Sequence, residues 1–349
     1  METLMKKRTW IILCIVVFLI ILSVFALWML IKPKAHFDIS IKPCENNNTY
    51  HNTLANGTSS LVQIDDKLYY NYRNGDGLRY GTYEITESMT RRVYWEGPAL
   101  SPRNISLDNV YYGQIAEDIE TYLDILTGEK IHVDSVIPQE LSPNHSFVVN
   151  DVWYFYTLDN SQELYRMNGE KPELLVSADT LGEPEMPFEM YIDDSFIYYV
   201  SYHDGLCKFS LDSGSRQSIL PDELTHIENA LSTIRCLFAK DGRVYYLVDS
   251  TDIYETDFNR ETTTLLYHSD DNISSINMLD DTLFFSDDAI SGSIFSLSVT
   301  NRTKESLPTK CGKVNEIYLL DKDYVYYNDY HENLFRINRK TKEIEIVFD

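Results

Sequence analysis

The sequence is poor in glycine and in basic residues, and each shortage excludes a class of protein. Glycine accounts for only 14 of 349 residues, which excludes collagen-like chains and glycine-rich flexible linkers. Lysine and arginine number 30 against 54 aspartates and glutamates, so the net charge is −24. Because nucleic-acid binding needs a basic face to contact phosphates, this balance argues against a nucleic-acid partner.

The motifs of common enzyme classes are also missing. The sequence has no GxSxG elbow, no HExxH, no Walker A loop and no CxxC pair, and its eight histidines include no pair at i and i+4. We therefore expect no catalytic residues, no resident cofactor and no transition-metal site.

Adjacent aspartates recur along the chain: Asp65-Asp66, Asp193-Asp194, Asp270-Asp271, Asp280-Asp281 and Asp287-Asp288. Most of these pairs fall in predicted turns, where an aspartate accepts hydrogen bonds from backbone N–H groups that follow it. A Ca²⁺ site is the alternative, because hard cations prefer clustered carboxylates, but no DxDxDG spacing supports it.

Residues 9–31 form a run of 23 residues without a charge, preceded by Lys6, Lys7 and Arg8. At about 1.5 Å per residue such a helix spans a hydrocarbon core of about 30 Å. We predict an uncleaved transmembrane anchor. The alternative, a cleaved signal peptide, would have a shorter apolar region followed by small residues.

The charges on either side of this segment predict its orientation. The first 34 residues carry +4, which leaves −28 for the remainder of the chain. We expect residues 1–8 in the cytoplasm, residues 32–56 as a linker or stalk, and the acidic remainder outside the cytoplasmic membrane.

Four cysteines lie outside the apolar segment, at Cys44, Cys207, Cys236 and Cys311. They allow three pairings and occupy unrelated positions. One or two disulfides in an oxidising compartment and isolated free thiols are both consistent with this pattern.

From about residue 57 to residue 349 the chain repeats one pattern seven times. In each copy a turn with Asp, Asn or Gly is followed by a strand-like run containing adjacent aromatics. The second aromatic of each copy gives the series Tyr70, Tyr112, Tyr154, Tyr199, Tyr246, Phe285 and Tyr327. Successive members are 39 to 47 residues apart.

Short apolar runs flank these aromatics on both sides, and the clearer copies alternate with the period of a half-buried strand. Four strands in each repeat of about 42 residues are typical of a β-propeller blade. The sequence therefore predicts an all-β fold, a seven-bladed propeller over residues 57–349, with six or eight blades as alternatives. The repeated aromatics are predicted to form the core between blades.

Two copies resemble the YWTD repeats of low-density-lipoprotein-receptor propellers. They are Val325-Tyr326-Tyr327-Asn328-Asp329 and Leu283-Phe284-Phe285-Ser286-Asp287, in which Asp329 and Asp287 match the aspartate of that motif. The repeat region as a whole resembles membrane-anchored bacterial propeller domains of unknown function. This resemblance implies the architecture and no catalytic residues.

These observations favour a membrane-anchored extracytoplasmic module that binds a protein or an envelope glycan without catalysis. A carbohydrate-active enzyme with carboxylates at the mouth of the central channel is one alternative. A passive subunit of an envelope assembly is the other. An exposed apolar or aromatic patch on one face would favour binding, whereas convergent acids in one pocket would favour an enzyme.

Overall fold

The computed structural model describes residues 22–23, 31–33, 60–64, 67–72, 81–86, 89–94, 101–107, 110–115, 118–124, 130–132, 143–149, 152–157, 163–168, 171–176, 190–193, 195–201, 204–221, 233–290 and 292–349. These residues form seven antiparallel sheets, which we number in chain order.

Among the first three sheets, sheet 1 has five strands and sheets 2 and 3 have four each. Sheet 1 contains β1 (Ile31–Pro33), β2 (Leu61–Ile64), β3 (Lys67–Tyr72), β4 (Gly81–Ile85) and β5 (Met89–Tyr94). Sheet 2 contains β6 (Ser101–Leu107), β7 (Val110–Ile115), β8 (Asp118–Asp124) and β9 (Lys130–His132). Sheet 3 contains β10 (Pro143–Val149), β11 (Val152–Thr157), β12 (Leu164–Asn168) and β13 (Lys171–Val176).

The last four sheets have four strands each. Sheet 4 contains β14 (Met190–Ile192), β15 (Phe196–Ser201), β16 (Gly205–Ser210) and β17 (Arg216–Ile219). Sheet 5 contains β18 (Arg235–Lys240), β19 (Arg243–Val248), β20 (Asp252–Asp257) and β21 (Thr262–His268). Sheet 6 contains β22 (Ile273–Leu279), β23 (Thr282–Asp287), β24 (Ser293–Ser298) and β25 (Lys304–Pro308). Sheet 7 contains β26 (Glu316–Tyr318), β27 (Tyr324–Asn328), β28 (Leu334–Asn338) and β29 (Ile344–Phe348).

The sheets meet one another through their first strands. Within each sheet the four repeat strands follow one another in chain order, and the first strands of sheets 2 and 3 and of successive sheets from 4 to 7 approach each other, as β22 does β26. Burial decreases outwards: in sheet 6, β23 is buried except for Thr282, whereas β25 buries only Leu307. The first strand of each sheet therefore lies towards the centre and the fourth lies at the rim.

In sheets 5, 6 and 7 the second aromatic of the repeat lies opposite an aromatic side chain of the third strand. Tyr246 pairs with Tyr254, Phe285 with Phe295 and Tyr327 with Phe335, with ring centroids 5.2 to 6.0 Å apart. All three pairs are stacked. Because such pairs contribute about 0.5–1.5 kcal/mol beyond the area they bury, they fix the register of the middle two strands.

The turns between strands one and two are tied to the turns between strands three and four. In sheets 4 to 7 a residue just after strand three donates its N–H to a carbonyl of the first turn. The bonds run from Leu211 to Ser195, Phe258 to Gly242, Val299 to Asp281 and Arg339 to Asp323, at 2.8 to 3.0 Å. This end of each sheet is therefore held rigidly by backbone contacts.

Sheet 1 packs directly against sheet 7. The ring of Phe348 at the end of β29 lies 4.7 Å from Tyr83, 5.3 Å from Tyr72 and 5.5 Å from Tyr70, between ring centroids. Asn328 donates its side-chain amide to the Tyr70 hydroxyl at 3.1 Å. Sheet 7 takes all four of its strands from residues 316–348, so side-chain packing joins the first and last sheets.

The predicted anchor and linker fall almost wholly outside the described residues. Within the span 9–31, Leu22 and Ser23 are helical, and Ile31 begins β1 rather than ending a helix. Strand β1, which includes the first two linker residues, pairs with the outer edge of β5, where Ile31 lies opposite Arg91. No helix in the described parts of the chain is long and apolar enough to cross a membrane.

Replacing Phe348 by alanine should destabilise the protein strongly, because this ring fills the junction between sheets 1 and 7. We expect the free energy of unfolding to fall by roughly 3–5 kcal/mol in urea denaturation followed by circular dichroism. Ile346→Ala, two residues earlier on β29 and 45% exposed, is the control and should cost less than about 1 kcal/mol. Equal losses for the two variants would contradict closure through Phe348.

Candidate binding site

The repeated aromatics predicted for the core have no exposed surface to offer a ligand. Their side chains are at most 6% exposed at Tyr70, Tyr154, Tyr199, Tyr246, Phe285 and Tyr327. The seventh, Tyr112, lies in β7, whose side chains are outside the described residues. The buried aromatics act in packing, and a binding surface must be sought in the loops.

Asp287, one of the two motif acids, ends β23 and is only 3% exposed. It accepts hydrogen bonds from the Tyr267 hydroxyl at 2.5 Å, the Ser269 hydroxyl at 2.6 Å and the Ala289 N–H at 2.9 Å. The carboxylate thus fastens the connection between sheets 5 and 6 to the loop that follows β23. Its role is to position that loop.

Asp329, the other motif acid, has the same role in sheet 7. Its carboxylate accepts N–H bonds from His331 and Asn333 and a side-chain bond from Asn333, each at 2.9 Å. These bonds close a tight loop between β27 and β28. The Tyr70 hydroxyl of sheet 1 also donates to the Glu332 carbonyl in this loop at 2.9 Å.

The two fixed loops present large apolar side chains to solvent. Tyr330 in the loop after β27 is 54% exposed, and Ile290 in the loop after β23 is 47% exposed. Among the aromatics whose burial the structure describes, Tyr330 is the only one with a mainly exposed side chain. Both loops join strands two and three, so they lie at the same end of neighbouring sheets. We call this surface, defined by Ile290 and Tyr330, the apolar loop face.

Charged side chains border the apolar loop face. Lys313, in the connection between sheets 6 and 7, forms an ion pair with Asp288 at 2.9 Å. The hydrogen bond to Asp288 and the charge of that carboxylate raise the pKa of Lys313. Gly292 donates its N–H to the Gly312 carbonyl at 3.2 Å, so the loop of Ile290 is also tied to that connection.

A histidine–carboxylate pair lies at the same end of sheet 5. Nδ1 of His268 is 2.6 Å from Asp252 Oδ1, and its Nε2 is 4.0 Å from Asp270 Oδ1. The hydrogen bond to Asp252 and the charge of that carboxylate raise the pKa of His268 above its usual value of 6.5. The imidazole is 58% exposed, so this pair adds a pH-dependent positive charge to an otherwise acidic edge.

The remaining sequence predictions concern metals and cysteines. The described residues contain no group of three or more potential metal ligands among His, Cys, Asp and Glu. Cys207 and Cys311 are free thiols, whereas Cys44 and the side chain of Cys236 lie outside the described residues.

Comparisons with known proteins identify the fold. No protein-family profile and no curated protein sequence matches the chain. Among solved structures, the computationally designed Ika8 protein is similar with a TM-score of 0.53 and 12% identity, covering 87% of this chain and 88% of that one. The WD40 β-propeller domain of Doa1 is similar with a TM-score of 0.52 and 10% identity, covering 82% and 94%.

PorZ of Porphyromonas gingivalis, a bacterial surface component of the type-IX secretion system, is similar with a TM-score of 0.52 and 11% identity. The match covers 84% of this chain and 38% of PorZ. At these identities the likeness concerns the fold alone. Together with the radial sheets, it defines a propeller-like all-β protein.

Sequence reasoning did not select Tyr330 or Ile290 as site residues. The usable signal was their position, because each follows a buried second strand by a few residues and precedes the third. An aromatic in such a loop departs from the pattern in which aromatics occupy strands.

Raising the pH should remove the stabilisation that protonated His268 gives the folded protein through Asp252. The pKa of His268 is raised in the folded state. Its stabilisation is therefore fully present below the pKa of the unfolded state and is lost as the pH rises through the pKa of the folded state. We expect an NMR titration of the imidazole to give a pKa above 6.5, and Asp252→Asn to lower it. Asp270→Asn, which changes the more distant carboxylate, should lower it less; an unchanged pKa in Asp252→Asn would contradict the assignment.

Proposed function

We propose that this protein is a non-catalytic binding module that presents its apolar loop face to a protein partner outside the cytoplasmic membrane. The observation that carries the proposal is the exposure of Tyr330, since every other aromatic whose burial is described is wholly or partly buried. Tyrosine is enriched among residues that dominate binding energy, because it combines a large apolar area with a polar end and few rotatable bonds.

Rigidity of the two loops supports this role. Asp287 and Asp329 hold them with side-chain and backbone hydrogen bonds, so little conformational entropy is lost when a partner binds. The propeller-like fold, whose relatives suggest a binding or scaffold module, supports it as well. The net charge of −28 beyond residue 34 favours a partner with a basic surface.

The carboxylates that hold these loops already have structural roles. Asp287 and Asp329 accept backbone N–H bonds in the two loops of this face, and Asp193, Asp257 and Asp321 do the same in turns at the opposite end of their sheets. A pair of carboxylates acting on a glycosidic bond would instead face an open site at a fixed separation. The proposed architecture is one propeller of seven blades, the seven sheets, closed by the contact between sheets 1 and 7.

Site-specific cross-linking tests the binding surface. A photoreactive phenylalanine analogue replaces Tyr330 in the full chain within its native membrane, and adducts are identified by mass spectrometry. The matched control places the same analogue at Lys340, whose side chain is 86% exposed at the opposite end of sheet 7. We expect one dominant protein adduct from position 330 only. Tyr330→Ala should lower the affinity for that partner by about tenfold or more.

The same adducts from both positions, or none from position 330, would contradict the proposed surface. A second partner class, an envelope glycan, would be revealed by adducts that carry carbohydrate, and this result would also overturn the assignment to a protein partner.

The proposed placement has its own test. With residues 9–31 as an uncleaved anchor, the full chain should stay in the membrane fraction after alkaline carbonate extraction. Protease added outside the cytoplasmic membrane should reach residues 35–349, while a tag at the N-terminus should remain protected. Release of the chain by carbonate, or protection of the sheets, would show the placement to be wrong.

A further inference from the structure

A second surface feature lies at the other end of sheets 5 and 6. The turns that join strands one and two, and three and four, enclose a cleft of about 550 Å³. This volume lies in the range of small-molecule sites. In an antiparallel meander these turns are opposite to the loops of Ile290 and Tyr330, so the cleft is separate from the apolar loop face.

The same junction between two other pairs of sheets is closed by a side chain. The residue just after strand three reaches into the neighbouring sheet that precedes it in the chain. There it contacts the first of the two adjacent aromatics in the second strand. Phe258 of sheet 5 packs on Tyr198 of sheet 4, with ring centroids 6.0 Å apart. The guanidinium carbon of Arg339 in sheet 7 lies 5.0 Å from the ring centroid of Phe284 in sheet 6.

Between sheets 5 and 6 the equivalent residue is Val299, and the equivalent aromatic is Tyr245. Both line the cleft. The equivalence of the three positions is structural, since Phe258, Val299 and Arg339 each donate their N–H to the first turn of their own sheet. Valine is the shortest of the three side chains. The cleft lies at the junction where Val299 stands in the position that Phe258 or Arg339 occupies at the other two.

The wall of the cleft that sheet 5 contributes carries an excess of positive charge. Arg243 and Arg260 approach the same carboxylate, Asp257, at 3.4 and 3.8 Å, which exceeds the usual length of a hydrogen bond. Asp257 itself is fixed by the N–H groups of Asn259 and Arg260. Arg243 also lies 3.9 Å from the buried Glu255, which Arg302 binds more closely at 2.7 Å. Among the residues that line the cleft, Asp257 is therefore the carboxylate that both guanidinium groups share, and they offer further donors to an anion.

The wall that sheet 6 contributes is negative. Asp281 lines the cleft in the turn between β22 and β23. Arg302, in the turn between β24 and β25 of the same sheet, is engaged elsewhere, since it binds the buried Glu255 of sheet 5 at 2.7 Å. Lys240 and Asp241, which also line the cleft, offset each other in charge. The two walls therefore carry opposite charge across one cleft.

We propose that this cleft binds a small zwitterion, an α-amino-acid group with a free ammonium and a free carboxylate. The carboxylate would bind Arg243 and Arg260, and the ammonium would bind Asp281. A simple anion or a simple cation would meet an opposing wall of its own charge, and a neutral sugar would leave the separated charges without partners. The turns are already held by backbone hydrogen bonds, so the site is preformed.

Calorimetric titration of the full chain in detergent micelles tests this assignment. The probes are glycine, L-alanine, L-leucine and L-arginine, followed by the N-acetyl derivative and the carboxamide of the tightest binder. We expect each derivative, which lacks one of the two charges, to bind at least about tenfold more weakly. Arg260→Gln should weaken binding about threefold to tenfold, because it removes one exposed guanidinium.

Val299→Phe is the decisive variant, because Phe258 occupies the equivalent position between sheets 4 and 5. The added ring should fill the cleft and abolish measurable binding while leaving the unfolding midpoint unchanged or higher. Lys340→Gln removes an exposed positive charge from the corresponding turn of sheet 7 and is the control that should leave binding intact.

The assignment is overturned if no amino acid binds, if both derivatives bind as tightly as the parent, or if a neutral saccharide binds equally well. Unchanged affinity in a folded Val299→Phe protein would also overturn it, since the ligand would then occupy another site. None of these results depends on the partner of Tyr330.

Discussion

Burial of aromatic side chains between neighbouring sheets is the interaction on which the rest of this structure depends. A four-stranded sheet has two faces, and neither is stable in water unless it is covered. Here the rings of strands two and three cover one another within a sheet, as Phe285 and Phe295 do, and also fill the space between sheets. Sheets 1 and 7, which lie at the two ends of the repeat region, cover each other in the same way, through Phe348 against Tyr70, Tyr72 and Tyr83.

Because the core fixes the sheets, the loops at one end of the strands and the turns at the other can carry different side chains. At one end, carboxylates such as Asp287 and Asp329 organise loops that expose Ile290 and Tyr330. At the other end, backbone bonds between turns create equivalent positions in successive sheets, and the residue at that position decides whether a junction is filled or open. Variation at loop and turn positions thus produces different surfaces without disturbing the core.

The second strand of every repeat could be predicted from the sequence, because paired aromatics mark a strand that is buried on both faces. The outer strands give a weaker signal, and β25, for example, buries a single residue and shows little periodicity. The cleft was also missed. Its origin lies in the contrast among Phe258, Val299 and Arg339, which becomes visible only when the turns are aligned by their hydrogen bonds. Tyr330 was missed because its residue type does not distinguish it from the buried aromatics, and only its position between the second and third strands does.

Strand β1 attaches to the rim of sheet 1, beside β5, so that a strand of three residues forms the edge of this sheet. Over residues 89–91 the outer side of β5 is paired with β1 and is not an open edge. An unpaired strand edge is a template on which another chain can add a strand, whereas a very short edge strand offers few free N–H and C=O groups. The attachment of β1 therefore protects this part of sheet 1 from edge-to-edge association.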